Sequence, residues 1–343
     1  MSTQMENGKT RTADVVIIGA GPAGTVSGCL LQRAGMSTVV VDFATFPREK
    51  VCGGGLTPRA WHLLAELLPE LNYDYLSVRH VRLLMEGVVK CEIDANEELR
   101  IVRRIDFDYE LLKHYQAMGG QFINDAFQSL EVQADGRVLV TLKSGEQLLC
   151  RHLIGADGAN SRVRKQLLGD YKGNVLVMEQ YMEPGDCAID VNLSRTYGKG
   201  YYYRFPSQGR DVVGFGDERN TVARYKTMMA ALGVPAEKHR GANIPVESVV
   251  SPYEQIILIG DAGGFPNKLT YEGIYYAMVT ARNAYQSIVE GKPFQETNRI
   301  VFEKKRREAW VTPLFYSRFG LWLVWLGAHS RWLIKTVFDR SVR

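Results

Sequence analysis

The 343-residue sequence lacks several patterns that mark particular classes of protein. Its five cysteines are odd in number and scattered, without a CxxC pair, so neither a disulfide framework nor a zinc site is indicated. The six histidines form no HxxxH pair, and no GxSxG elbow occurs. These absences argue against metal-dependent and serine-nucleophile catalysis. We therefore expect no metal and a reducing compartment.

Long apolar runs are also missing. No stretch reaches the roughly 18 apolar residues that a membrane-spanning helix needs, and the first ten residues lack the apolar core of a signal peptide. No internal repeat or low-complexity segment occurs. We therefore expect a cytoplasmic protein, with peripheral contact at a membrane left open.

A net positive charge is found at only one end of the sequence. Residues 301–343 contain nine Lys or Arg and three acidic residues, which gives this segment a charge of +6, while the whole chain carries only +4. The rest of the chain is therefore slightly negative. Because the basic character belongs to the tail alone, we expect no nucleic-acid partner.

A glycine motif directly follows the first predicted strand and opens a predicted helix. The motif consists of Gly19, Ala20, Gly21, Pro22, Ala23 and Gly24. Gly19 permits a tight turn, Gly21 lets the backbone approach a pyrophosphate, and Gly24 allows close packing of helix on strand. Asp42 ends the next strand, where a carboxylate accepts the ribose hydroxyls. Together these features predict a dinucleotide site at a helix N-terminus.

Two further glycine and aspartate loops indicate which dinucleotide binds. One loop holds Asp157 and the other holds Asp261 and Gly264, and each follows a predicted strand. Ligands bind at the carboxyl ends of strands in open α/β sheets. An NAD molecule would not need three such loops, whereas an extended FAD would. The alternative is that each loop is a turn with a capping aspartate.

The segment from Phe46 to Leu56 contains the most specific pattern. Its letters FPREKVCGGGL resemble the PRxKxCGGGL segment of the FAD-dependent geranylgeranyl reductase family, which lies within the p-hydroxybenzoate hydroxylase-like flavoproteins. The stretch Arg104-x-x-Phe107-Asp108 is similar to the group's RxxFD. The resemblance extends from about residue 14 to about residue 289, roughly 80% of the chain.

Two other segments resemble the same family but depart from its pattern. Residues 271–274 resemble its GEGI, with Tyr271 in place of the first glycine, and residues 201–206 resemble YxWxFP, with Tyr203 in place of tryptophan. The resemblance implies that the segment from Phe46 to Leu56 lies beside the flavin and that residues 201–206 line the substrate cavity. Tyr271 could also reach the flavin. The departures favour a different prenyl or polycyclic substrate.

From these motifs we predict the site residues. The predicted cofactor-binding residues are Gly19, Gly21, Pro22, Ala23, Gly24, Asp42, Arg48, Lys50, Cys52, Gly53, Gly54, Gly55, Arg104, Asp157, Asp261, Gly264, Gly273 and Ile274. Candidate catalytic residues are Cys52, Tyr201, Tyr203 and Tyr271. Arg48 and Lys50 would favour a thiolate at Cys52. The alternative for the cysteine and the tyrosines is packing in the core.

The predicted fold class is α/β: a Rossmann-type FAD-binding domain with an inserted, mostly antiparallel sheet for the substrate and a helical C-terminal tail. The FAD-binding domain is predicted to comprise residues 1–73, 104–172 and 255–292. The substrate domain is predicted to comprise residues 74–103 and 173–254, and residues 293–343 form the tail.

The predicted function is reduction of C=C bonds in a prenyl or other hydrophobic substrate by hydride from reduced FAD. A monooxygenase is the runner-up because the fold is shared, and a prenyl carrier on the same fold is a third alternative. No second nucleotide-binding motif occurs, so NAD(P)H or another reductant would dock transiently. Residues 304–338 combine basic and Trp-rich stretches, which suits either a membrane interface or a helical cap over the substrate domain.

Overall fold

The computed structural model describes residues 10–236 and 238–342, so residues 1–9, Glu237 and Arg343 of the predicted segments lie outside it. The strands in chain order are β1 (Arg11–Ile18), β2 (Thr38–Asp42), β3 (Gly55–Leu56), β4 (Leu76–Met85), β5 (Val88–Ile101), β6 (Gln121–Asn124), β7 (Phe127–Val132), β8 (Val138–Leu142), β9 (Gln147–Gly155), β10 (Asn174–Met182), β11 (Ala188–Leu193), β12 (Tyr201–Ser207), β13 (Arg210–Asp217), β14 (His239–Pro245) and β15 (Ile256–Leu258). The helices are α1 (Pro22–Arg33), α2 (Pro58–Leu67), α3 (Arg104–Ala117), α4 (Arg162–Leu168), α5 (Val222–Ala231), α6 (Ile274–Glu290), α7 (Phe294–Thr297), α8 (Arg299–Phe315), α9 (Arg318–Gly327) and α10 (Arg331–Val342).

One sheet has the order β6-β2-β1-β9-β8-β7, and β15 pairs with the second half of β9. The strands β6, β2, β1, β9 and β15 run parallel, while β7 and β8 form an antiparallel meander with β9. Val15 to Ile18 are almost fully buried, because both faces of a parallel sheet are covered. The helices α1, α2, α3 and α6 contribute to the core on one face.

The second sheet has the order β14-β10-β13-β12-β11-β4-β5-β3, and its pairs are antiparallel except for β11 with β4. Its strands come from two insertions into the first unit, apart from β3. That short strand lies within the predicted segment 1–73 but pairs with β5 of the second sheet. The two sheets and the helical tail confirm the predicted fold class, whereas the exact domain boundaries stay a prediction.

The C-terminal helices pack against the second sheet. On α10, Ile334 and Phe338 pack in a cluster with residues of β4 and β5. On α9, Leu321 is buried against Met85 and Leu193. Among the described residues, no helix combines the length and the hydropathy that crossing a bilayer requires. This tail therefore covers part of the substrate sheet, as one of the two interpretations of the sequence predicted.

Candidate functional site

The three glycines of the first motif have different surroundings. Gly19 has a φ of 108°, in the region that favours glycine. A Cβ atom added there would lie 2.2 Å from the carbonyl oxygen of Ala156, and one added to Gly24 would lie 1.8 Å from that of Gly19. A Cβ on Gly21 would meet only the guanidinium of Arg48, at 3.7 Å. Gly19 and Gly24 are therefore needed for packing, whereas Gly21 leaves open space where a diphosphate fits.

Asp42 is held beside this glycine loop by hydrogen bonds to the backbone. Its side chain is almost buried, and its Oδ2 accepts a hydrogen bond of 2.7 Å from the N–H of Ala20. Its Oδ1 accepts a bond of 2.8 Å from the N–H of Ala44. Because a carboxylate has about four acceptor positions, Asp42 retains the capacity to accept ribose hydroxyls.

The three predicted cofactor loops meet at one edge of the parallel sheet. They follow β1, β9 and β15, which are neighbours in that sheet. The N–H of Gly260 bonds to Thr280, and a Cβ on Gly260 would lie 3.0 Å from that of Ala23 in α1. Asp261 lies near the start of α6, because a Cβ on Gly273 would be 3.5 Å from its Oδ1. Two helix N-termini, at Pro22 and Ile274, therefore begin beside these loops.

Asp157 uses its side chain to cap α4. Its Oδ2 accepts hydrogen bonds from the N–H groups of Arg162 and Val163, and its Oδ1 accepts one from Ser161. Burial raises the pKa of the Asp157 carboxyl, while these hydrogen bonds lower it in part. The Asp157 side chain therefore caps a helix, as the alternative interpretation of this loop predicted. Any contact with a cofactor would come from the backbone of the loop. Cofactor binding by Asp157 stays a prediction.

Arg164 and Gly264 support the third loop. The Arg164 guanidinium donates to the carbonyl oxygens of Asp261 and Ala262, each at 3.0 Å. Gly264 has a φ of 73°, and a Cβ there would lie 2.0 Å from the carbonyl oxygen of Glu247. Sequence analysis did not select Arg164, although it lies inside the second glycine and aspartate motif. Its role is to join the second and third loops.

The basic residues beside the CGGG segment are tied to one buried carboxylate. Asp108 is fully buried. It binds Arg104 Nε at 2.7 Å and Arg48 Nη2 at 3.1 Å. Burial lowers the pKa of the Arg104 guanidinium, but Asp108 and the adjacent Cys52 more than offset this and raise it. Arg104 therefore lies close to the Cys52 thiol. Asp108, which sequence analysis noted only within a motif, positions its guanidinium.

Tyr201, Tyr203 and Phe205 form a continuous wall on one face of β12, which we call the aromatic wall. Tyr203 contacts its two neighbours edge to face, with ring centroids 6.1 Å and 5.3 Å away. The wall borders the CGGG segment, because a Cβ added to Gly53 or Gly55 would lie 2.9 Å or 3.2 Å from the Phe205 ring. The shared face follows from strand alternation, as predicted.

Tyr271 extends this wall. Its ring stacks on Tyr201 with centroids 5.7 Å apart, and its hydroxyl donates to the carbonyl oxygen of Lys199. Burial raises the pKa of both phenols, so both stay protonated at neutral pH. Tyr271 has a φ of 57°, in the left-handed region. The family that this chain resembles has glycine at this position. Tyr271 therefore places a large side chain on a backbone conformation that favours glycine.

Glu179 is a candidate functional residue that sequence analysis missed. It is 1% exposed, its Oε1 accepts a hydrogen bond of 3.0 Å from the N–H of Cys52, and its Oε2 accepts one of 3.2 Å from the Tyr203 hydroxyl. Burial raises the pKa of its carboxyl, although the bonds from Cys52 and Tyr203 lower it in part. The available signal was a single carboxylate within the mostly apolar strand β10.

A shallow depression lies beside the CGGG segment. Its lining includes Cys52, the cations Lys50, Arg103, Arg104 and Arg210, and the acidic Glu49, which lies 3.9 Å from Arg210. Arg103 pairs with Asp106 through its Nε, which lies 3.2 Å from Oδ2 of that residue. The depression thus presents positive charge next to the thiol.

Comparison with known proteins gives the family. A model described as "FAD binding domain" matches residues 12–208. The menaquinone reductase of Mycolicibacterium smegmatis is 31% identical over 81% of this chain and 77% of its own length. The geranylgeranyl diphosphate reductase of Synechocystis is 28% identical over 80% of this chain and 75% of its own.

Solved structures share the fold. A geranylgeranyl bacteriochlorophyll reductase-like protein from Thermoplasma acidophilum aligns with a TM-score of 0.70 and 18% identity, covering 96% of this chain and 91% of that one. PqsL, a probable FAD-dependent monooxygenase from Pseudomonas aeruginosa, aligns with a TM-score of 0.68 and 16% identity, covering 96% and 100%. At this identity the likeness shows the fold alone. On the domain match and the relatives, the protein is an FAD-dependent oxidoreductase that belongs to the geranylgeranyl reductase family.

Proposed function

We propose that the protein reduces C=C bonds of a prenyl-type hydrophobic substrate. The observation that carries this proposal is the aromatic wall bordering the CGGG segment, since a row of buried and half-buried rings beside that segment suits an isoprenoid chain. The names of the relatives support it, because menaquinone and geranylgeranyl diphosphate both carry a polyprenyl chain. The chain's own residues would bind this substrate and exclude water from it.

The residues at the sheet edge fit FAD. When bound, FAD in its reduced form supplies the hydride. The open space at Gly21 would take the pyrophosphate, and Asp42 would accept the ribose hydroxyls. The N-terminus of α6 at Gly273 and Ile274, together with the backbone of Gly53 to Gly55, would then contact the rest of the cofactor.

Addition of hydrogen across a double bond needs one hydride and one proton, and we propose Glu179 as the proton reservoir. A protonated Glu179 donates to the Tyr203 hydroxyl oxygen, which frees the phenolic proton for the substrate carbon. Its burial beside the aromatic wall supports this role. The backbone N–H of Cys52 bonds to the Glu179 carboxyl and helps to position it. Cys52 therefore lies beside the proposed proton reservoir.

We further propose that NAD(P)H reduces the flavin while docked at the basic depression beside Cys52. Lys50, Arg103 and Arg210 would contact its phosphates. Flavin reduction should therefore slow about tenfold in Arg210→Ser with NADPH and remain unchanged with dithionite, as followed by loss of flavin absorbance without oxygen. Equal slowing with both reductants would contradict the docking site.

The test of the reductase assignment is the dependence of turnover on oxygen. A reductase turns over a prenyl substrate without oxygen, consuming one NADPH or one dithionite equivalent for each double bond. A monooxygenase yields product only when oxygen is present. This alternative is considered because the chain shares its fold with PqsL, a probable monooxygenase. A strict oxygen requirement across a panel of polyprenyl quinones and diphosphates would replace our proposal with that alternative.

A further inference from the structure

The C-terminal helices leave a large set of apolar side chains in solvent, which we call the tail face. It consists of Trp310, Val311, Leu314, Phe319, Trp322, Leu323, Trp325, Leu326, Trp332, Leu333 and Val337. Trp310 is 84% exposed and Trp332 is 74% exposed. Large contiguous apolar surfaces on soluble domains usually mark an interaction site.

Helical spacing places cations and apolar residues of α8 in one stripe. Ile300, Lys304, Arg307, Val311 and Leu314 are three or four residues apart and are all exposed, so they lie along one side of the helix. On α9, residues 319, 322, 323 and 326 repeat this spacing. Each of these two helices therefore exposes an apolar stripe, and the α8 stripe also carries cations, so the exposed residues are not a scatter of single positions.

Four cations around this face are available for an external anion, whereas Arg331 and Lys335 pair with Asp94 and Asp339. In residues 10–236 and 238–342, Lys304, Arg306, Arg307 and Arg318 have no acidic side chain within 4.0 Å. Lys305 differs, because it is buried and its Nζ donates to Pro266 and Glu308. Lys305 therefore does not contribute to the exposed basic surface.

The opposite side of the same helices covers the aromatic wall. Leu321 packs with Met85, and Tyr201 lies at the edge of that cluster. The Tyr316 hydroxyl donates to Leu269 at 2.8 Å, next to the loop that holds Tyr271. The helices therefore separate the tail face from the proposed substrate wall by a single layer.

We propose that the tail face docks on the surface of an anionic lipid bilayer. Tryptophan near cations is the composition that favours the membrane interface, and none of the four exposed indole N–H groups has a hydrogen-bond partner within the described part of the chain. A protein partner would be expected to match these donors and cations with fixed acceptors, whereas lipid headgroups supply mobile ones. This proposal is independent of the reaction that the protein catalyses.

The test is co-sedimentation of the FAD-loaded protein with vesicles of phosphatidylcholine alone or with phosphatidylglycerol added. We expect preferential binding to the anionic vesicles and release at high salt. Arg307→Glu should weaken that binding about fivefold or more, while Lys226→Glu, an exposed control on α5, should not. Trp322→Glu should weaken binding to both vesicle types, and Tyr253→Glu, which is exposed to the same 44%, should have no effect.

Flavin content and the melting temperature show whether each variant is folded. Equal binding of the wild type to both vesicle types, or binding to neither, would overturn the proposal. So would a stable dimer in lipid-free solution that Trp322→Glu dissociates, because the tail face would then be an interface between two copies of this chain.

Discussion

Gly21 and Gly24 are three residues apart in one motif, yet an added side chain meets different surroundings at each. We expect Gly21→Val to give a folded but colourless protein, because the valine occupies the space left for the pyrophosphate. FAD affinity should fall at least tenfold, about 1.4 kcal/mol. Gly24→Val should instead fail to fold, since its Cβ would overlap the carbonyl oxygen of Gly19. Bound flavin absorbance of a purified Gly21→Val protein at wild-type level would contradict the site.

Cys52 is half-buried, and its Sγ accepts a hydrogen bond of 3.4 Å from the N–H of Gly54. We expect Cys52→Ala to lower turnover at least tenfold while the free energy of unfolding changes by less than about 1 kcal/mol. The small cavity beside glycines accounts for the modest stability effect. Steady-state rates and urea denaturation measure the two quantities. A variant that unfolds early but keeps full activity would show that the thiol only packs.

Glu179 makes stability depend on pH. Its raised pKa means that, above its usual value of about 4.3, the unfolded chain binds fewer protons than the folded one. The free energy of unfolding should therefore fall as pH rises towards the folded pKa, by at most about 1.4 kcal/mol per pH unit.

Glu179→Gln removes this contribution, so the stability of the wild type relative to this variant should decline between pH 5 and 8. Melting temperatures across that range measure it, with exposed Glu254→Gln as the matched control. A constant difference between the wild type and Glu179→Gln would show that the buried carboxyl does not titrate in this range.

Among the helices, α8 is anchored to the cofactor unit through one buried cation. Lys305 donates to the carbonyl oxygen of Pro266 and binds Glu308 at 2.9 Å. Lys305→Gln should destabilise the protein by about 1–3 kcal/mol, because it weakens the bonds to a buried acceptor and a carboxylate. Its neighbour Lys304 is exposed, so Lys304→Gln should change stability by less than about 0.5 kcal/mol. Equal unfolding midpoints in urea for both variants would refute the anchor.

Much of the element pattern could be predicted from sequence, because periodicity and glycine punctuation are local signals. The strand before Gly19, the helix after it and the alternation of Tyr201 and Tyr203 all follow from such signals. Contacts between distant residues could not be predicted this way. Glu179 bonds to Cys52, which is 127 residues away in the sequence. Lys305 bonds to Pro266, which is 39 residues away. No local sequence pattern encodes such contacts.

Three parts of the molecule lie next to one another in space. The predicted cofactor loops lie at the edge of the parallel sheet, the aromatic wall of the second sheet borders the CGGG segment, and the C-terminal helices pack against that wall at Tyr201. A substrate reaching the wall from a bilayer would pass these helices, so their position connects the proposed membrane contact to the proposed chemistry. The central claim remains the reaction itself.

That claim is tested most directly by the mass of the product. The reduced enzyme is mixed with a polyprenyl substrate in two parallel samples, one kept free of oxygen and one exposed to air. The product of each sample is analysed by mass spectrometry. We predict that the product gains two hydrogen atoms for each reduced double bond, in both samples. A product that gains one oxygen atom, and forms only in air, would contradict the account.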